Sequence, residues 1–328
     1  MPKVSVIVPI FGVEKYIERC ATCLFKQTLD DIEYIFIDDC TPDNSIEILQ
    51  GVIKQFPNRS EMVRIVRMPT NSRLAAVRRH GIQLAMGDYV IHCDSDDWVD
   101  MDLYEQMYLE AIRSNADVVF APIVDEYVNY SSLRIFEHLP QVGKDIVSGW
   151  YSTNTAMYSW NKLVKRDIYV DNDILPFEDV NMWEDNGLML RILYYAKRVS
   201  SIVGSAYHYN HTNMGAMTAS YGRPAVDQML KCAELLGRFF AEKNDAQEYA
   251  KTVNAVKYLA KLNLITTEYK GIREFKQIYP ESEEAVNYIS LNAFSKKGKI
   301  RFLFVKYHFA WLFVTLFKCL SFLQRNKR

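Results

Sequence analysis

The chain has no G-x-G-x-x-G and no G-x-x-x-x-G-K-[ST], so neither a dinucleotide-binding glycine loop nor a P-loop is available to cradle phosphates. Glycine and proline are sparse, at 13 and 10 of 328 residues, which excludes low-complexity and collagen-like chains. No secretory signal is read, because Met1-Pro-Lys runs directly into a short apolar strand. The six cysteines (Cys20, Cys23, Cys40, Cys93, Cys232, Cys319) are therefore expected as reduced thiols in a cytosolic compartment. Acidic residues are missing after Glu284, where nine Lys and Arg follow, so the preceding residues carry a net −10 within a whole-chain charge of −1. An acidic body and a basic tail call for different partners.

What is present is an ordinary globular composition, 49% hydrophobic and 24% charged, with length enough for one large domain or two. Residues 4–93 alternate short apolar runs with amphipathic segments. Strands are expected at 4–9, 32–37, 63–68 and 89–93, and helices at 14–27, 45–55 and 75–86. This β-α-β pattern predicts a mostly parallel sheet flanked by helices, with ligands beyond the C-terminal strand ends. A helix at 101–114 and a strand at 117–122 follow, then an irregular stretch rich in Trp and Tyr, a helix at 185–197 and a strand at 199–209. Beyond residue 224 the pattern is helical, with helices expected at 225–243, 247–268, 281–294 and 300–323. A boundary is drawn between a domain at 1–220 and a helical extension at 221–328.

The strand ends carry the chemistry. Asp94-Ser95-Asp96-Asp97 puts three carboxylates in four residues, a repulsive group that a divalent cation with oxygen ligands relieves. The plainer alternative is an Asp-rich turn in which Asp97 or Asp100 caps the next helix. Asp38 and Asp39 end another strand, where an acidic side chain suits a ribose or a base edge. Asp43 and Ser45 read as helix caps.

Taken in order, VSVIVPIFGVEKYI, DDCTPDNS, AVRRHGIQLAMGDYVIHCDSDDW and WNKLVKRDIY resemble glycosyltransferase family 2, whose fold is called GT-A, over roughly residues 3–212. The resemblance implies an inverting transfer from a nucleotide-sugar, usually a UDP-sugar, with Mn²⁺ or Mg²⁺ as cofactor. It implies that Pro9, Phe11 and Glu14 line the nucleotide pocket, that Asp39 reads the uracil with Asp38 beside it, and that Arg78 lies by the base or phosphates. By the same resemblance Asp94 and Ser95 sit with the donor, Asp96 holds the metal, and Asp185 of the Glu184-Asp185 pair is the general base. Helix capping by Asp185, and the rival pair Glu178-Asp179, stay open from the residues alone.

The chain departs from the family at Asn71-Ser72-Arg73 and Val77-Arg78-Arg79, and the Q-x-x-R-W motif of processive synthases is missing, which favours transfer of a single sugar. Cys20-x-x-Cys23 reads as core packing. Trp150, Tyr151, Tyr158, Trp160 and Trp183 are either acceptor-stacking rings or core. The tail at 296–328 has at most 11 residues in a row without Lys or Arg, too few to span a bilayer, where about 20 are needed. It reads as a basic, aromatic amphipathic helix for an anionic membrane surface, or else for packing on its own domain or another subunit. The expected partners are thus a nucleotide-sugar donor, a glycan or lipid-linked acceptor and the inner face of a cytoplasmic membrane, with no nucleic acid and with homo-oligomerisation open. The alternatives are a sugar nucleotidyltransferase or an inactive membrane-bound scaffold of the same fold.

Overall fold

The structure is a computed structural model of the chain, and it describes all residues except 154, 214, 216–221, 266–268, 295 and 326–328, with only the backbone of 269, 293 and 320–325. Two compact units are present, one made of Met1–Ile146 and Met157–Ala219, the other of Val147–Ala156 and Ser220–Arg328.

In the first unit the elements are β1 (Val4–Ile10), α1 (Ile17–Phe25), β2 (Ile32–Asp38), α2 (Ser45–Gln55), β3 (Val63–Arg67), α3 (Arg73–Leu84), β4 (Tyr89–His92), β5 (Trp98–Val99) and α4 (Leu103–Ser114). They continue with β6 (Val118–Phe120), β7 (Ile123–Glu126), β8 (Ser131–Arg134), the start of α5 (Gly143–Gly149), β9 (Lys162–Lys165), α6 (Arg166–Asp171), α7 (Glu184–Tyr195), β10 (Val199–Ser201) and β11 (Tyr207–Asn210). Seven strands form one sheet in the order β10-β6-β9-β4-β1-β2-β3, parallel except for β9. β2 is buried along its whole length and β1 nearly so, as central strands of a parallel sheet covered on both faces are. Gly81 lets α3 lie directly on β1, since a Cβ there would come within 2.4 Å of Ile7 Cγ2.

The expected strand at 199–209 divides into two. β10 closes one edge of the large sheet, and β11 joins a second sheet of order β5-β11-β7-β8. The separation follows from Ser205 and Ala206, which are held to α4 and the preceding loop: Ser205 Oγ donates to Asp102 at 2.8 Å and Ala206 N donates to Asp100 at 2.8 Å.

The second unit contains α8 (Arg223–Ala241), α9 (Ala250–Leu262), α10 (Tyr269–Gln277), α11 (Lys296–Lys306) and α12 (Ala310–Arg325). Its core joins Tyr258, Leu262, Phe275, Ala285, Phe302 and Phe313, with Tyr151 packed against it. Two expected helices change form. Residues 280–287 are a 3₁₀ stretch entered through Pro280, because the fully buried Lys261 ammonium binds the carbonyls of Ile278 and Tyr279 and the Glu283 carboxylate, and so fixes a tight turn. The expected helix at 300–323 breaks at 307–309, where His308 adopts φ +64°. Among the described residues no helix is long and apolar enough to cross a membrane.

Candidate active site

The ends of β1, β2 and β4 bring the acidic loops together. Asp38 accepts from Thr41 N at 2.8 Å, with Arg67 at 3.6 Å. Asp39, buried, accepts from Ser72 N at 2.6 Å and Arg73 N at 2.9 Å, one bond to each oxygen at the start of α3. A carboxylate oxygen has two acceptor directions, so each keeps one. Asp43 accepts from Glu14 N and Thr41 Oγ1, and from both the N–H and the hydroxyl of Ser45. Glu14 answers by accepting from Asn44 N at 3.3 Å, which ties the loop after β1 to the loop after β2. Pro9 lies within β1, and Phe11 just beyond it is 51% exposed, an uncovered ring at the strand end.

The three carboxylates of the Asp94–Asp97 loop have different surroundings. Asp97 is fully buried, accepts from Tyr207 Oη at 2.7 Å and Asn210 N at 2.7 Å, and therefore latches β11 to the loop instead of capping α4. Burial, with Asp96 and Asp94 nearby, pushes its carboxyl well above the aspartate range. Asp96 is pushed up for the same reasons, burial first and the Asp94 charge second, while the Asn213 amide at 2.8 Å pulls it back. Asp94 pairs with Arg78 at 2.5 Å, and Ser95 is buried between Asp94 and Asp96.

Arg78 is the hinge of the site. It is 2% exposed, and its second Nη binds Glu184, so one guanidinium bridges the loop after β4 to the first residue of α7. No periodicity links residues 78, 94 and 184, and sequence reasoning missed Glu184 as a partner. Asp185 follows on the first turn of α7, where it accepts from Asn186 N at 2.8 Å. Burial pushes its carboxyl up, against the pull of the Arg78 and Lys162 charges. Lys162, fully buried in β9, is itself pushed well below the usual lysine range by burial. Its place in the WNKLVKRDIY segment was the signal available for it. The rival Glu178 sits on an exposed loop paired with Arg79 at 3.0 Å.

A hard divalent cation fits this donor set. Asp96 is a half-buried carboxylate whose ionised form is disfavoured by desolvation and by Asp94, which a cation would reverse. Among the described residues no three His, Cys, Asp or Glu side chains converge on one point. Mg²⁺ and Mn²⁺ are commonly held by one or two carboxylates, with substrate phosphates and water completing the shell.

Among the other residues singled out, Trp160 is core and stacks on Tyr207 at 4.3 Å, while Tyr151 packs within the second unit. Cys20 is buried in α1 with its Sγ 3.9 Å from that of Cys93. In β11, His208 is held between Glu126 at 2.8 Å and Asp100 at 3.1 Å.

Comparison with known proteins agrees with this geometry. The family model described as glycosyl transferase family 2 matches residues 5–171. An uncharacterised glycosyltransferase of Bacillus subtilis, EpsJ, is 30% identical over 239 residues, 70% of this chain and 67% of that protein. The cholesterol galactosyltransferase of Borreliella burgdorferi is 28% identical, covering 84% and 86% respectively. Among solved structures, residues 1–349 of S. aureus TarS in complex with UDP-GlcNAc superpose with a TM-score of 0.70 at 16% identity, over 95% of this chain and 90% of that one. With a parallel sheet that gathers carboxylates at its C-terminal ends, a matching family model and this structural likeness, the chain belongs to glycosyl transferase family 2 and is a glycosyltransferase of GT-A fold.

Proposed function

We propose that the chain transfers one sugar, with inversion, from a UDP-sugar to a hydroxyl of a glycan or lipid-linked acceptor in polysaccharide assembly, using Mn²⁺ or Mg²⁺. The observation that carries this reading is the Asp94–Arg78–Glu184 bridge, which ties the acidic loop after β4 to the helix that presents Asp185. The UDP-GlcNAc bound to TarS supports the choice of donor, and the relative named for cholesterol galactosylation supports a lipid among the acceptors.

In this reading Pro9, Phe11, Glu14, Asp38 and Asp39 shape the nucleotide pocket, and Asp94 and Ser95 lie against the ribose and diphosphate. Asp96 would hold the cation, which when bound supplies positive charge for the departing diphosphate. Asp185 takes the proton of the acceptor hydroxyl as that oxygen attacks the anomeric carbon from the face opposite the leaving group. A carboxylate destabilised by burial is the stronger base for this step.

Calorimetry with UDP, GDP and ADP, each with and without Mn²⁺, tests the donor site. UDP is expected to bind at least about tenfold more tightly with Mn²⁺ than without, and Asp96→Asn is expected to abolish that difference. Binding indifferent to both metal and mutation would move the site elsewhere. Release of UDP, not of inorganic diphosphate, separates sugar transfer from nucleotidyl transfer.

The second unit is proposed to rest on an anionic membrane surface. At the corner between α11 and α12, Tyr307, Phe309 and Trp311 are 61%, 52% and 55% exposed, beside Lys306 and with no acidic residue after Glu284. Phe302, Val305, Phe313 and Val314 point inward to the core, and the corner is the part proposed to meet lipid.

A further inference from the structure

The second sheet carries a ladder of aromatic rings that the donor chemistry leaves without a task. β7 and β8 are antiparallel neighbours with Glu126 opposite Ser131, and Tyr127 N donates to Tyr130 O at 3.0 Å across the Val128-Asn129 turn. Residues opposite each other in such a pair share a face. The two tyrosine rings accordingly stack, with centroids 4.6 Å apart and planes within 19°. The His211 imidazole stacks on Tyr127 at 4.3 Å and 7°. Tyr130 is nevertheless 63% exposed and Tyr127 38%, so a rigid stack of rings ends in solvent.

The stack is anchored by polar groups. His211 Nε2 lies 2.8 Å from Asp125 Oδ1, and Arg134 donates to both Asp125 oxygens at 2.6 and 2.8 Å. The Arg134 guanidinium also lies 5.6 Å from the Tyr158 ring. Burial raises the Tyr158 hydroxyl pKa, Arg134 opposes the rise and the Asp185 charge adds to it, so Tyr158 is within electrostatic reach of the candidate base. On the other side Asn210, the residue before His211, donates to Asp96 O at 3.1 Å, and Asn213 donates to the Asp96 carboxylate. His211, on which Tyr127 stacks, is thus the residue next to Asn210, whose amide binds the Asp96 carbonyl.

A flat, fixed phenol face at the end of an anchored stack matches a pyranose ring, whose C–H face packs on an aromatic face. Tyrosine gives this contact area with only two side-chain torsions to order. We propose that the open face of Tyr130 forms the stacking platform for a sugar residue of a glycan acceptor, with Tyr127 and His211 stacked behind it and Asp125 and Arg134 fixing the inner end of the stack. This rests on the reading of the neighbouring site as a sugar-transfer centre. Leu133, also exposed, alternates onto the other face of β8 and serves as the control.

Saturation-transfer NMR and calorimetry on the full chain, with cellotetraose, maltotetraose and chitotetraose as probes, test the platform. At least one probe binds the unmodified chain, binds about tenfold more weakly to Tyr130→Ala, and recovers in Tyr130→Phe, while Leu133→Ala has no effect. UDP affinity is the same in all four proteins. Absence of binding by all three probes, equal binding by Tyr130→Ala, or an equal loss in Leu133→Ala overturns the platform. Tyr130-dependent glycan binding without any UDP binding overturns the donor reading and leaves the platform standing; UDP binding without Tyr130-dependent glycan binding does the reverse.

Discussion

Asp185 and Arg78 give the sharpest tests at the scale of single residues. Replacing Asp185 by Asn keeps the shape of the first turn of α7 but removes the proposed proton acceptor, so kcat is expected to fall by about 10²–10⁴ with UDP affinity unchanged. Because burial raises the Asp185 carboxyl above the usual aspartate range, the proton is held to a higher pH than in water. The base is active only when ionised, so activity is expected to fall as pH drops through that raised pKa, and a kcat–pH profile should show an acidic limb that the Asn variant lacks. Arg78 is tested through stability, since it is 2% exposed and the Glu184 side chain 6%. Arg78→Met leaves Glu184 as an uncompensated buried charge, and a loss of about 3–5 kcal/mol is expected in denaturant unfolding. Adding Glu184→Gln to that variant should recover part of the loss, and a strictly additive double mutant would show that the bridge is not the coupling. The aspartates themselves could be found from the strand-end pattern. Their division of labour could not, because Asp94, Asp96 and Asp97 are neighbours in sequence and differ only in what β11 and α3 bring against them.

Among the elements, the alternation at 4–93 was readable because the strands are short and mainly apolar and the helices between them carry apolar stripes; the observed ends of α1, α3 and α4 fall within a few residues of those expected. The Val199–Tyr209 run was misread as one strand since its apolar pattern does not register the Gly204-Ser205-Ala206 segment, which side chains of the loop before α4 and of its N-cap pull out of line. The β7–β8 hairpin escaped for a related reason: its turn is Val-Asn, without the Asn-Gly or Asp-Gly signal that marks tight hairpins. Contact between α3 and β1 offers a quantitative check. Gly81→Ala would gain about 1 kcal/mol of helix propensity but drives a Cβ into the Ile7 methyl, an overpacking cost of about 1–3 kcal/mol. A net loss of stability is expected in chemical denaturation, and because the close atoms are the γ carbons of Ile7, Gly81→Ala combined with Ile7→Ala should lose less than the sum of the two single variants.

For the whole molecule, the opposed charges of body and tail have a measurable consequence. If the α11–α12 corner meets lipid as proposed, the full chain sediments with phosphatidylglycerol vesicles and not with phosphatidylcholine vesicles, and binding weakens as salt rises, since exposed charges are screened over about 8–10 Å at 0.10–0.15 M. Trp311→Ala with Phe309→Ala should reduce binding even at low salt, which a purely electrostatic attachment would not predict. The composition pointed to this surface, but the fold within the tail did not follow from it: alternation of inward Phe302 and Phe313 with outward Tyr307 and Trp311 depends on the bend at His308. The four-stranded sheet bears on a different question, that of inheritance. β7 holds to β11 through main-chain bonds, which take no account of which side chains the hairpin tip displays. A lineage could therefore exchange the residues at 127–130 and recognise new acceptors while the catalytic frame stayed untouched, and an engineer seeking altered specificity would begin with those same four positions.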